Sequence, residues 1–291
     1  MFGGKAVSPR VRLFGSVSGR LVNESPWLTI VTVVRNDAAG LAATARSITA
    51  QLSVPGVEYL VIDGASDDET RDVLDELATH GHARVVSEPD RGIYDAMNKG
   101  WRAARGFWVQ YLNAGDVYAS NEEVRWLRTH LAMYPAEWLR TRVRFVDDSG
   151  EPSRPLGSAR INEQFWWGWQ TTLHQGAFMS RDLLSRLGGF DDRTRVQGDF
   201  DLMLRALQSG CQPLVDDRVT VNVDASGVST QLWQVGFREM HRSRSRGRGW
   251  LVRAASSVDL GVHVGVVAGR RSARRGLERA LGKERVNRLR Q

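Results

Sequence analysis

The 291-residue sequence has a single cysteine, Cys211, so no intramolecular disulfide and no cluster of thiolates around a metal can form within it. A reducing compartment is the simplest setting for such a chain. Long apolar runs are missing as well: no stretch of eighteen uninterrupted apolar residues occurs, and the best candidate, Leu260 to Ala268, is broken by His263 and is too short to span a bilayer. The N-terminus carries Lys5, Arg10, Arg12 and Arg20 without the apolar core of a secretory signal, so export is not expected. No GxGxxG follows the first apolar run and no GxxxxGK[ST] occurs, which excludes the usual glycine cradles for a dinucleotide or a triphosphate. What remains is an ordinary globular composition, 42% hydrophobic and 25% charged, long enough for one large or two small domains and incompatible with disorder throughout.

The net charge of +7 is unevenly placed. From Arg238 onward 15 Lys and Arg face 4 Asp and Glu, whereas the rest of the chain holds 25 against 29. A basic tail on an acidic body suits docking to an anionic surface, a membrane leaflet or a nucleic acid.

Apolar runs and helical periodicities alternate over the first 120 residues. Trp27 to Val34 reads as a strand that ends at Arg35-Asn36-Asp37, and Leu41, Thr44, Ala45 and Ile48 follow at helical spacing. Val57 to Ile62, a helix near Asp68 to Thr79, Arg84 to Ser87, a helix across Tyr94 to Ala104 and Phe107 to Leu112 repeat the pattern. A helix reaching Tyr134 and an extended segment from Trp138 to Val146 come next, then a less regular region with Trp166, Trp167 and Trp169 ahead of His174. Strand-helix alternation predicts an α/β fold with a mostly parallel twisted sheet and helices on both faces, Rossmann-like, whose ligands sit beyond the carboxyl ends of the strands. Arg35, Asp63, Asp90 and Asp116 all fall at those ends. A ring of carboxylates suits a divalent cation and the hydrogen-bonding edge of a nucleobase better than a bare phosphate.

Six fragments, PWLTIVTVVRND, EYLVIDGASDDET, SEPDRGIYDAMNKG, WVQYLNAGD, HQGAFMS and LGGFDDRTRVQGDFDLMLR, occur in one order over roughly Pro26 to Thr230. In this combination the chain resembles family 2 glycosyltransferases with the GT-A fold. The resemblance implies transfer of a sugar from a nucleoside diphosphate donor to an acceptor hydroxyl with inversion, which needs a base, charge stabilisation on the leaving diphosphate and alignment of donor with acceptor.

Carried over by position, the resemblance assigns donor binding to Arg35, Asp63, Asp68, Asp90, Gly92, Asp95 and Asn98. Other roles are open to the same residues: an Asx-turn for Asp63, a helix cap for Asp68, and a favourable place on the helix macrodipole for Asp95. Gly92 supplies either close backbone approach or a positive φ. The metal motif departs from the family pattern, since Asn113-Ala114-Gly115-Asp116 offers one carboxylate. Asp116, with Asn113 as a neutral oxygen, would then hold Mg2+ or Mn2+ largely through substrate phosphates. Asp199 is the expected base, with Gly198 where the family usually has glutamate, although a helix cap is the structural alternative. Trp166, Trp167, Trp169, His174 and Gln175 are the acceptor candidates, the indoles being suited to sugar C–H faces and to lipid headgroups alike.

The resulting expectation is an N-terminal extension (1–25), a GT-A domain (26–237) and a basic helical tail (238–291). The partners expected are a nucleotide-sugar, a glycan or lipid-linked acceptor and an anionic membrane surface reached through the tail. The predicted location is cytoplasmic and peripheral, an oligomer contact is an alternative use of the tail, and no nucleic-acid partner is expected of the acidic body. A sugar-nucleotide nucleotidyltransferase is the competing enzyme class, disfavoured because Arg35-Asn36-Asp37 stands where a Gly-rich basic loop would hold a triphosphate.

Overall fold

The computed structural model describes residues 25–134, 136–146, 173–224 and 232–246, and the isolated positions 257, 261, 262, 265 and 269. The tryptophan cluster and most of the basic tail lie outside the described residues.

The first half of the sheet is built as the apolar runs predict. Strands β1 (Leu28–Val34), β2 (Val57–Asp63), β3 (Arg84–Ser87) and β4 (Trp108–Tyr111) are parallel, with β1 between β2 and β4. They alternate with helices α1 (Ala38–Thr49), α2 (Thr70–Thr79) and α3 (Ile93–Ala103). β1 is buried at all seven positions because helices cover both faces, which is why it reads as a continuous apolar run. The period of two still sorts its side chains: Val31 and Val33 join Leu60, Ile62 and Met97 in one core layer, while Leu28, Ile30 and Val34 join Val61, Leu41 and Ile48 in the other. Asp37 caps α1 by accepting a hydrogen bond from Gly40 N at 2.8 Å.

The second half is mixed rather than parallel. It comprises β5 (Val117–Tyr118), α4 (Glu123–Met133), β6 (Trp138–Val146), a 3-10 turn (His174–Gly176), β7 (Ala177–Ser180), α5 (Arg181–Leu187), α6 (Gly198–Gln208), β8 (Leu214–Asp224) and α7 (Trp233–Ser245). The sheet order is β3-β2-β1-β4-β7-β6-β8-β5. Two of these strands position the site. Because β7 runs antiparallel to β4, its start, with His174 and Gln175 just ahead of it, lies at the carboxyl end of β4. Because β8 pairs antiparallel with β5 in the register Val117 to Asn222, its end brings Asp224 to the Gly115-Asp116 turn.

The charge-based boundary at 237/238 falls inside α7. That helix docks on the body beyond it: Glu239, Met240, Ser243 and Arg244 are buried, and Arg246 pairs with Asp191 at 2.7 Å and Asp201 at 3.3 Å. The basic segment therefore begins on a packed helix, and Arg246, just past its end, is matched to Asp191 and Asp201.

Candidate active site

Along the rim formed by β2 and β3, the loops are tied to one another. Asn36, held at φ +52°, donates its side-chain amide to Asp67 at 2.8 Å and accepts from Asp67 N at 3.0 Å, so the loops after β1 and β2 are joined. Asp63 is buried at the end of β2, and its carboxylate accepts from Ser66 N, from Ser66 Oγ at 2.5 Å and from Ser87 Oγ at 2.5 Å. Asp68 sits ahead of α2 and accepts from Thr70 N at 3.0 Å; the polar groups of Thr70 hold it below the usual carboxylate range.

Asp90 lies close to Gly64 and Arg35: a Cβ at Gly64 would collide with the Asp90 carboxylate and touch the Arg35 side chain. Asp90 also accepts from Gly92 N at 2.9 Å. Gly92 itself has φ +133° with open space around its Cα, so its role is the positive φ and not close approach. Asp95 accepts from Arg91 N at 3.1 Å and from the Arg91 guanidinium at 3.0 Å, which keeps it ionised at lower pH than usual. Asn98 points away from this rim into the packing of α3. Its amide donates to Phe190 O at 2.8 Å and its carbonyl accepts from Phe190 N, which ties α3 to the loop before α6, while the same carbonyl accepts from Trp101 Nε1 within α3.

The middle of the rim is the Asn113–Asp116 turn. Asp116 is buried and accepts from Asn113 N at 2.9 Å, from Gln175 Nε2 at 3.0 Å and from Asp224 N at 3.2 Å. Burial lifts its carboxyl to about 6, against the pull of Gln175 and of nearby His174. Asp224 was not singled out by its sequence surroundings, yet a Cβ at Gly115 would lie 2.9 Å from Asp224 Oδ2. A second carboxylate, from the end of β8, thus stands beside the turn that carries Asp116. Beside it, Asn113 Oδ1 and Gln175 Oε1 are buried without a hydrogen-bond partner among the described residues. Among the described residues no three His, Cys, Asp or Glu side chains are grouped to cage a metal. Two carboxylates with unpartnered neutral oxygens fit a hard cation that completes its shell with substrate phosphate.

At the far end of the rim, Asp199 is the second residue of α6. One oxygen accepts from Phe200 N at 2.8 Å, and the other lies 3.7 Å from His174 Nδ1. His174 Nε2 is buried with no partner among the described residues, and the same is true of the Arg140 Nη1 atom on β6. Burial pushes the Arg140 guanidinium down to about 10 while the Asp199 carboxylate opposes that shift. The consecutive residues His174 and Gln175 thus face the two carboxylates, His174 towards Asp199 and Gln175 towards Asp116. Gly198 is required by packing, since a Cβ there would be 2.7 Å from the Tyr94 ring. Trp166, Trp167 and Trp169 lie outside the described residues.

A strand-end rim of this kind on an α/β sheet of this topology is the mark of a GT-A-type glycosyltransferase, and the comparisons agree. TarS (1–349) from Staphylococcus aureus, solved with UDP-GlcNAc, superposes with a TM-score of 0.59 at 14% identity, covering 80% of this chain and 70% of that one. The mannosyltransferase PcManGT from Pyrobaculum calidifontis, in complex with GDP-Man and Mn2+, gives 0.59 at 20% identity over 91% of this chain and 79% of its own. A glycosyltransferase of Mycobacterium tuberculosis is 28% identical over 224 residues, 72% of this chain and 79% of that protein. The PGL/p-HBAD biosynthesis glycosyltransferase of Mycobacterium bovis is 28% identical over 198 residues, 64% of this chain and 71% of that one. The model of Glycosyl transferase family 2 matches residues 29–188, and the chain belongs to that family. Membership decides against the nucleotidyltransferase reading. The matched span ends before Asp199, Asp224 and α7.

Proposed function

We propose that this enzyme transfers a sugar from a nucleoside diphosphate sugar to a hydroxyl of a glycan or lipid-linked acceptor, with inversion, in cell-surface polysaccharide or glycolipid biosynthesis. The observation that supports this reading is the pair His174 and Gln175, which reaches Asp199 at 3.7 Å and Asp116 at 3.0 Å on the strand-end rim where Asp63 also lies. Relatives and neighbours named for glycolipid biosynthesis, UDP-GlcNAc and GDP-Man support the substrate classes without choosing between them.

In this scheme Asp63, Arg35, Asp90 and the Gly92 backbone hold the nucleoside end of the donor. Contact with Asp63 requires the Ser66 or Ser87 hydroxyl to turn aside, as both occupy its carboxylate. Asp68 and Asp95 shape the loops, and Asn98 positions α3 rather than touching donor. Asp116 and Asp224, with Asn113 and Gln175 oxygens, would hold Mg2+ or Mn2+, which offsets charge on the leaving diphosphate. Asp199 accepts the proton of the acceptor hydroxyl as its oxygen bonds to the anomeric carbon and the bond from that carbon to the diphosphate oxygen breaks. His174 and Gln175, with the tryptophans ahead of them, would line the acceptor side. An association of the basic tail with an anionic leaflet, at the cytoplasmic face, remains part of the proposal; among the described residues no helix is long and apolar enough to cross a membrane. The test is release of nucleoside diphosphate from a panel of UDP-, GDP- and dTDP-sugars with and without Mn2+. One donor class turning over with metal stimulation is the expected result, and no turnover of any sugar nucleotide by folded enzyme contradicts the proposal.

A further inference from the structure

Three successive backbone N–H groups ahead of α6 converge on one side chain from another helix. Glu239, buried on α7, accepts from Arg195 N at 2.7 Å through one oxygen, and from Val196 N at 2.9 Å and Gln197 N at 3.0 Å through the other. Such a row of N–H groups is an anion site, and a carboxylate makes charge-assisted bonds to it that are stronger than neutral ones. The same segment is held from its other side, because Tyr94 donates its hydroxyl to Val196 O at 2.7 Å. Tyr94 is in turn fixed by stacking on Phe190 at 5.5 Å and by filling the space above Gly198. The segment Arg195–Gln197 thus has its donors taken by α7 and a carbonyl taken by α3, and Asp199 follows it by two residues.

We infer that Glu239 is a positioning residue for Asp199, setting the approach of that carboxylate to His174 and the acceptor from a helix outside the segment matched to the family. This rests on the reading of Asp199 as base. Glu239 touches neither donor nor acceptor; it acts by fixing the backbone from which the base projects. Misplacement of a reacting group by about 1 Å costs roughly a hundredfold in rate, while binding of the other substrate is left alone.

The test compares Glu239→Gln, Met240→Ala and Asp199→Asn in the whole chain. Met240 is buried on the same helix and its truncation weakens docking of α7 without touching the 195–197 amides. Hydrogen exchange of those amides and kcat and KM for nucleoside diphosphate release from the UDP-, GDP- and dTDP-sugar panel are the readouts. Glu239→Gln is expected to lose amide protection and about tenfold or more in kcat with donor KM within twofold, whereas Met240→Ala keeps its kcat despite a lower Tm. If Glu239→Gln does not fold, Glu239→Asp carries the same comparison with a smaller loss. An unchanged kcat in Glu239→Gln beside an inactive Asp199→Asn overturns this inference alone, as does an equal loss of kcat in Met240→Ala. Full activity of Asp199→Asn overturns the base assignment, and this inference with it.

Discussion

Asp63 and Asp199 are both buried carboxylates on the same rim, and they are held in opposite ways. Asp63 is saturated by groups from its own loop and the next one, the Ser66 amide and the Ser66 and Ser87 hydroxyls. Asp199 has one bond, to the adjacent Phe200 amide, and its other oxygen faces a histidine 3.7 Å away. A carboxylate fixed by hydroxyls that can yield to a ligand's donor is suited to hydrogen-bonding a nucleotide, while one with an open oxygen beside a histidine is suited to taking a proton. The backbone around them differs in the same sense. The loops near Asp63 are fixed by Asn36 and Asp67 within the parallel half of the sheet, whereas the loop before Asp199 is fixed from outside by Glu239 and Tyr94.

The sharpest way to break this contrast is Asp199→Asn, which should lower kcat by about 10²–10⁴-fold, the range of general-base contributions, with nucleotide affinity retained. Loss of affinity in steady-state and binding assays instead would move Asp199 to the donor side. A smaller effect is expected of Asp224→Asn, which removes one of the two carboxylates at the turn: the Mn2+ concentration for half-maximal activity should rise about tenfold, and an unchanged metal titration would free Asp224 from that role. Asn98→Ala should cost about 1–3 kcal/mol of stability by stranding the Phe190 backbone groups, with donor KM unchanged. The smallest effect belongs to the network that docks α7. Arg193 and then Arg246 hold Asp191 far below the usual carboxylate range. A carboxylate with a depressed folded-state pKa contributes stability in full above its unfolded pKa, about 4, and loses it as pH falls further. The Tm deficit of Asp191→Asn should therefore shrink between pH 6 and pH 3.

The same contrast explains what could be read in advance. The strands and helices up to Tyr111, and the residues at their ends, announce themselves through local sequence pattern, because the central strands β1 and β4 are buried throughout and each helix buries one stripe, as Leu41, Thr44, Ala45 and Ile48 do on α1. In the second half the signal holds for the helix reaching Tyr134 and for Trp138–Val146 and then fades. The four residues of β7 are too short for a period, and Asp224 and Glu239 matter only through partners more than forty residues away. An acid at the end of the alternating run Val219-Thr220-Val221-Asn222-Val223-Asp224 was the one local hint at the former. Net charge sets the tail apart from Arg238, but it carries no sign that α7 crosses that point or that Arg246 is matched to Asp191 and Asp201. The motif groups Asn98 with the donor residues, and its sequence neighbours give no sign of the two hydrogen bonds it makes to Phe190.

The central claim is that one rim divides its work, with the parallel half binding nucleotide and the α6 start carrying out proton removal. Calorimetric titration of UDP and GDP with Mn2+ into the wild-type protein, Asp63→Ala and Asp199→Asn tests it directly. The account predicts wild-type affinity for one nucleotide in Asp199→Asn and a loss of at least about tenfold in Asp63→Ala, equivalent to about 1.4 kcal/mol. Unchanged binding in Asp63→Ala together with lost binding in Asp199→Asn would contradict it.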